Sequence, residues 1–174
     1  RDRAAARRLL AGLAGQGGAR ANLTAPATAT LVRLLVEEGK FDEAEQRLSA
    51  AKGKLSAEDS ADLTRRVALG WARSGKLDRA DRMVAGDSSV NGLALLGELK
   101  LLHGEVGAAR DLLQQAGPYA GSREDATERT TLLALLQPLE ADTVPEIGVG
   151  FLALARADTT AAVGIDRLGM PEGI

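Results

Sequence analysis

The sequence contains no cysteine and only one histidine in 174 residues. Without cysteine the chain has no disulfide, no Cys-ligated zinc or iron–sulfur site and no thiol nucleophile, and one histidine excludes a multi-histidine metal site. We therefore expect no metal and no cofactor. Aromatic residues amount to 2%, which disfavours β-sheets. No apolar run approaches the roughly 18 residues that a membrane-spanning helix needs, so we expect no membrane insertion within this segment.

A basic excess is also missing, because 22 Lys and Arg face 24 Asp and Glu for a net charge of −2. Nucleic-acid binders usually carry a basic surplus, so we expect no nucleic-acid partner. Hydrophobic residues make up 45% of the chain, and Ala and Leu together account for about a third of it. Since Ala and Leu are strong helix formers, the composition predicts an all-α protein.

A short phrase occurs three times, as Gly-Lys-Phe-Asp-Glu-Ala (39–44), Gly-Lys-Leu-Asp-Arg-Ala (75–80) and Gly-Glu-Val-Gly-Ala-Ala (104–109). Each phrase has an apolar residue eight positions before its Gly and another nine positions after it. These flanking pairs are Leu31 and Leu48, Val67 and Val84, and Leu96 and Leu113. Such offsets fit the helical period on both sides, so each phrase predicts a turn between two amphipathic helices.

The residue types in the phrase have physical roles. A glycine just past a helix can adopt the left-handed conformation that closes a helix C-terminus. Asp42 and Asp78 would lie in the first turn of the following helix, where negative charge is favourable. The alanine of each phrase is expected where two helices cross, whereas Ala94 is expected away from a crossing. These crossing alanines are Ala44, Ala80 and Ala109.

These phrases resemble the tetratricopeptide repeat (TPR) family over residues 26–117. Leu96-Gly97 is similar to the family's Leu-Gly pair, Trp71 stands where the family usually has an aromatic residue, and Lys100 departs from that pattern. The phrases are 36 and 29 residues apart, against a family period of about 34. The resemblance implies a right-handed α-solenoid of antiparallel helix pairs, with three pairs in this range.

The flanking segments suggest partial units. Residues 1–18 align with the second helix of a repeat, with Ala5 and Leu9 in the places of Ala44 and Leu48, so we expect a fragment of a longer solenoid. Residues 119–174 are interpreted as additional helices or a worn fourth repeat, with Val149-Gly150 and Ala162 in repeat positions and Ala157 in the Gly slot. Helix starts are expected at Pro26, Ser56, Asp87 or Ser88, Ser122, Pro145 and Asp158.

In the TPR family the first helix of each pair lines a concave groove, so the resemblance also implies candidate binding residues. These are Arg33, Glu37, Asp62, Arg65, Arg66, Arg73, Asn91, Glu98 and Leu102. Arginine forks suit carboxylates, which favours an acidic or C-terminal peptide segment as the ligand. The alternative is that these arginines belong to an ordinary solvated helix face.

The sequence therefore predicts a non-catalytic scaffold that presents a groove to a peptide or protein. One alternative is the recognition arm of a larger bacterial envelope or secretion assembly, such as a polysaccharide-export machine. Another is a small helical enzyme or ligand-binding domain. For that class, His103 is better explained as a helix C-terminal residue, and 148–153 matches a dinucleotide fingerprint without the preceding strand that it requires. Bacterial cytoplasm and periplasm both remain open.

Overall fold

A computed structural model describes residues 3–14, 21–117 and 123–156, and these residues form α-helices without any strand. The all-α prediction is confirmed for this part of the chain. The helices are α1 (Arg3–Ala14), α2 (Ala21–Glu37), α3 (Phe41–Ala50), α4 (Ala57–Arg73), α5 (Leu77–Val84), α6 (Val90–Leu102), α7 (Val106–Ala116), α8 (Arg123–Leu136) and α9 (Pro145–Ala155). The expected starts at Ser122 and Asp158 lie outside the described residues.

Two helix starts show how hydroxyl caps set the boundaries. Ser56 precedes α4 as predicted, and its Oγ accepts a hydrogen bond from the Asp59 amide at 3.0 Å. The start of α6 was expected at Asp87 or Ser88, and this was wrong: Ser89 is the N-cap and accepts from the Gly92 amide at 3.1 Å. The Asp87 carboxylate instead accepts from the Ser89 amide at 3.0 Å, so Asp87 supports the cap without being it.

The two predicted proline starts have different outcomes. Pro145 is the first residue of α9, which confirms that prediction. Pro26 was expected to begin a helix but lies inside α2, which starts at Ala21. Because proline lacks an N–H, it removes one hydrogen bond from the helix interior. Pro26 is the sixth residue of α2, so the missing hydrogen bond lies in the second turn of the helix.

The chain divides into two compact units, residues 1–71 (unit 1) and 72–174 (unit 2). In unit 1, α2 packs against α1 and α3. Gly70 leaves room for the ring of Phe41, which lies 5.4 Å from the Trp71 ring between centroids. Trp71 also donates from Nε1 to Glu45 Oε2 at 3.0 Å. The buried apolar core of this unit includes Leu31, Val32, Leu35, Ala44, Leu48, Leu63, Val67 and Ala68.

In unit 2, α6 and α7 form the most closely packed pair. A Cβ on Gly97 would come within 2.8 Å of Leu113 Cγ and 3.2 Å of the Ala109 carbonyl oxygen. The absence of a side chain at Gly97 therefore sets how closely α6 approaches α7. The surrounding cluster consists of Leu101, Val106, Ala109, Leu113 and Leu136, with Leu132, Leu133, Leu139, Val144, Ile147 and Phe151 packed against it.

The three repeated turns have the expected local structure. Gly39, Gly75 and Gly104 have φ values of 71°, 84° and 78°, in the left-handed region that favours glycine. The alanine five positions after each glycine is fully buried, as is predicted for Ala44, Ala80 and Ala109. The apolar residue nine positions after each glycine is also buried: Leu48, Val84 and Leu113. The repeat thus describes real helix–turn–helix modules.

The two flanking segments, residues 1–18 and 119–174, differ from the three repeated modules in which positions are buried. Leu9 is 70% exposed and Val149 is 61% exposed, whereas their counterparts Leu48 and Leu31 are buried. Ala157 and Ala162, which complete the suggested fourth repeat, lie outside the described residues. A partial repeat at 1–18 and a fourth repeat in 119–174 therefore stay predictions.

The third turn is covered by the segment that leads into α9. The Val144 amide donates to the Gly104 carbonyl oxygen at 2.7 Å, and the Gly107 amide donates to the Asp142 carbonyl oxygen at 3.0 Å. A Cβ on Gly148 would lie only 2.6 Å from the Gly104 nitrogen. The glycine of the nucleotide-like phrase 148–153 is therefore a packing contact inside a helix.

Alanine at Gly39 and at Gly104 should have unequal effects on stability. At Gly39 no atom lies within 4 Å of the added Cβ, so Gly39→Ala should cost only the left-handed strain of about 1 kcal/mol. At Gly104 the Cβ would also meet the Val144 oxygen at 2.7 Å and Pro145 Cα at 2.8 Å. Gly104→Ala should therefore cost about 2–3 kcal/mol. Denaturant unfolding followed by circular dichroism measures both; equal losses would contradict the close packing of this turn.

Candidate functional site

Three of the predicted groove residues come together in unit 1. Asp62 on α4 lies between Arg33 of α2 and Arg66, which is one turn further along α4. Its Oδ2 is 3.4 Å from Arg33 Nη2 and 2.9 Å from Arg66 Nε. The two arginine side chains are about half exposed, at 43% and 54%. The exposed faces of α2 and α4 are thus joined by one shared carboxylate.

The charge state of Asp62 follows from these neighbours. Partial burial alone would raise the pKa of its carboxyl group, but the hydrogen bonds and positive charges of Arg66 and Arg33 outweigh that effect and lower the pKa below its ordinary value. A lowered pKa means that the ion pairs persist at neutral pH and are lost only as the pH falls through the folded-state value. Asp62 therefore neutralises part of the predicted basic strip.

The other two predicted groove residues of unit 1, Glu37 and Arg65, are not part of the ion pairs around Asp62. Glu37 is exposed and lies one helical turn after Arg33, so it adds a second negative charge to this face. Arg65 is half-buried. Within this unit the predicted surface therefore carries mixed charge, with three arginines and two carboxylates.

In unit 2 the predicted residues lie on α4 and α6. Arg73 is exposed in the last turn of α4. Asn91 is exposed near the start of α6, and Glu98 is half-buried two turns later. Leu102, at the end of α6, is half-buried, and its carbonyl oxygen would lie 2.7 Å from a Cβ on Gly148.

Sequence reasoning missed Arg156, which follows α9. Its Nε donates to the carbonyl oxygen of Arg73 at 2.9 Å, and its guanidinium group occupies the space that a side chain on Gly75 would take. A cation at this position is favourable because the last carbonyl groups of α4 are the negative end of the helix dipole. No sequence pattern could indicate a contact between residues 83 positions apart.

The structure also pairs the single histidine with a carboxylate. His103 is the C-terminal cap residue of α6, as predicted, and its Nε2 lies 2.8 Å from Asp81 Oδ2 on α5. The other oxygen, Asp81 Oδ1, is buried and has no hydrogen-bond partner among the residues that the structure describes. The pair joins the end of α6 to α5.

Within residues 3–14, 21–117 and 123–156, no group of three or more His, Asp or Glu side chains is arranged to hold a metal ion. None of the helices in the same ranges is long and apolar enough to cross a membrane.

Comparison with known proteins finds no matching family model, no similar curated protein and no similar solved structure.

Proposed function

We propose that the chain is a non-catalytic TPR-like scaffold that binds an acidic segment of a partner protein. The observation that carries this proposal is the threefold recurrence of one module: a left-handed glycine, a buried alanine five positions later and a buried apolar residue nine positions later. A module of two short helices cannot bury its apolar stripe alone, so neighbouring modules must cover one another. Antiparallel pairs stacked as a right-handed solenoid meet that need.

The binding surface in this proposal is made by the first helix of each pair. In a solenoid these helices lie side by side along one face, and the contact from Arg33 on α2 to Asp62 on α4 supports that placement in unit 1. Arg66 and Arg73 follow on α4, and Asn91 and Glu98 follow on α6. The side chains between the packing positions are therefore the ones available to a partner.

The ligand chemistry follows from the arginines. Each guanidinium group has five N–H donors, and Arg33 and Arg66 each direct only one of them to Asp62. Asp62 thus holds the two groups near one another while most of their donors stay available for carboxylates of a partner. Bidentate arginine–carboxylate pairs are among the stronger protein hydrogen bonds.

A fluorescein-labelled decapeptide of alternating Ala and Glu tests this function. We expect the wild-type chain to bind it in fluorescence anisotropy at low salt, and not to bind a decapeptide of alternating Ala and Gln. The triple variant Arg33→Gln, Arg66→Gln, Arg73→Gln should weaken binding about tenfold, because each exposed ion pair contributes up to about 1 kcal/mol.

The matched control removes three other arginines of similar exposure. Arg8, Arg47 and Arg82 are exposed on α1, α3 and α5, and replacing all three with glutamine gives the same net charge as the test variant. Affinity should then stay within about twofold of wild type. Equal losses in both triple variants would show a general charge effect and contradict the groove; no binding by the wild-type chain would contradict the proposed function itself.

A further inference from the structure

The three repeated turns differ in how their charged residues are paired. At the first turn, Lys40 Nζ lies 2.6 Å from Glu38 Oε2, which also accepts from Arg7 at 3.0 Å. At the third turn, Glu105 is paired with Lys100 at 2.9 Å, and the segment from Asp142 to Gly148 covers the backbone. The cations at these two turns are thus paired with carboxylates of the chain itself.

The second turn, by contrast, gathers cations. Arg73 ends α4, and Lys76 precedes α5; both side chains are exposed. Arg156 joins them from the end of α9. It donates a hydrogen bond to the Arg73 carbonyl oxygen, and its guanidinium group lies against Gly75, which has no side chain to exclude it. We refer to Arg73, Lys76 and Arg156 as the Gly75 cluster.

No acidic side chain within residues 3–14, 21–117 and 123–156 pairs with any member of the Gly75 cluster. Asp78, two residues after Lys76, is exposed in the first turn of α5. Asp158, two residues after Arg156, lies outside the described residues. The predicted arginines of unit 1 behave differently, since Asp62 already pairs with Arg33 and Arg66. Three positive charges therefore lie at this turn without a paired carboxylate among the described residues, in a chain of net charge −2.

We propose that the Gly75 cluster is the place where unit 2 binds carboxylates of an acidic partner segment. This inference rests on the proposed function and names where the charge recognition occurs. The Nε of Arg156 donates to the Arg73 carbonyl oxygen and its guanidinium group lies against Gly75. A guanidinium group that is already held in place loses little freedom when it binds a carboxylate. An acidic peptide fits better than a nucleic acid, because three cations on one turn do not form the extended basic stripe that a phosphate backbone requires.

The test uses two residues outside the predicted groove set. The double variant Lys76→Gln, Arg156→Gln should weaken binding of the Ala–Glu decapeptide about fivefold and reduce the dependence of affinity on salt concentration. The matched control Lys52→Gln, Arg82→Gln removes one exposed lysine and one exposed arginine elsewhere. It should bind within about twofold of wild type.

Arg156 also caps α4, so its structural role must be separated from binding. Lys76 makes no side-chain cap, so Lys76→Gln alone should weaken binding about twofold without changing the thermal midpoint. Arg156→Lys keeps the positive charge but loses the planar guanidinium group and its Nε anchor. It should therefore bind more tightly than Arg156→Gln, although both variants lower the thermal midpoint.

The outcomes separate this inference from the function on which it rests. If the wild-type chain fails to bind the peptide, both are wrong. If it binds, and the triple arginine variant weakens binding while Lys76→Gln, Arg156→Gln matches its control, only the Gly75 cluster is wrong. Tighter binding of a single-stranded oligonucleotide than of the peptide would overturn the acidic segment as the occupant.

Discussion

Replacing Leu113 with alanine should lower the free energy of unfolding by about 3–4 kcal/mol. Leu113 is fully buried on α7, and it packs against Gly97 of α6 and within the cluster that includes Leu101 and Leu136. The substitution removes three carbon atoms and leaves a cavity that the closely packed α6 and α7 cannot collapse to fill. Urea denaturation followed by circular dichroism measures the loss.

Leu135→Ala is the matched control for this change. Leu135 lies on α8, next to the buried Leu136, but is 59% exposed. The same atoms are deleted there without creating a cavity, so the loss should stay below about 0.5 kcal/mol. If Leu113→Ala destabilised the chain no more than Leu135→Ala, the packing of α6 against α7 described above would be wrong.

Leucine at Ala109 should also be strongly destabilising, by about 2–3 kcal/mol. Ala109 has no exposed surface, and its carbonyl oxygen lies where α6 approaches most closely at Gly97. A larger side chain would push the two helices apart or force neighbouring side chains out of their preferred rotamers.

The neighbouring alanine is a suitable control for this second prediction. Ala108 lies on the same helix but is exposed, and leucine is nearly as good a helix former as alanine. Ala108→Leu should therefore change stability by less than about 0.5 kcal/mol. Comparing the unfolding free energies of the two variants isolates the helix contact, and equal losses would show that Ala109 is not at a crossing.

The features that the sequence predicts correctly are those determined within a few residues. A left-handed glycine, a buried alanine five positions later and a serine cap such as Ser56 all depend on local backbone geometry and helical period. Pro145 begins α9 for the same reason. The repeated module can be recognised in the sequence because its glycine, alanine and apolar residue recur three times at the same spacing.

The local pattern does not record how neighbouring helices cover an element. Ala94, which was expected away from a helix crossing, is buried, and α6 is apolar on nearly all sides and packs against several neighbours. The helix start expected at Pro26 was wrong, because α2 begins at Ala21 and continues through the proline. Neither outcome is visible in the spacing of the three phrases.

The candidate site was predictable in part. Placing Arg33, Asp62 and Arg66 on exposed faces of first helices follows from helical period and the family resemblance, and the structure brings these three together. Contacts over long sequence separations were not predictable, such as Arg156 with the Arg73 carbonyl and His103 with Asp81. They depend on how α9 and α5 dock, which no periodicity records.

The most direct test of the central proposal is a crystal structure of the chain in which residues 31–48, 67–84 and 96–113 are superposed. We expect all three segments to superpose as one helix–turn–helix. We also expect a similar rotation and translation to relate the first to the second and the second to the third. Three modules that superpose poorly, or that close into a bundle without such a step, would contradict the stacked array and the binding surface proposed on it.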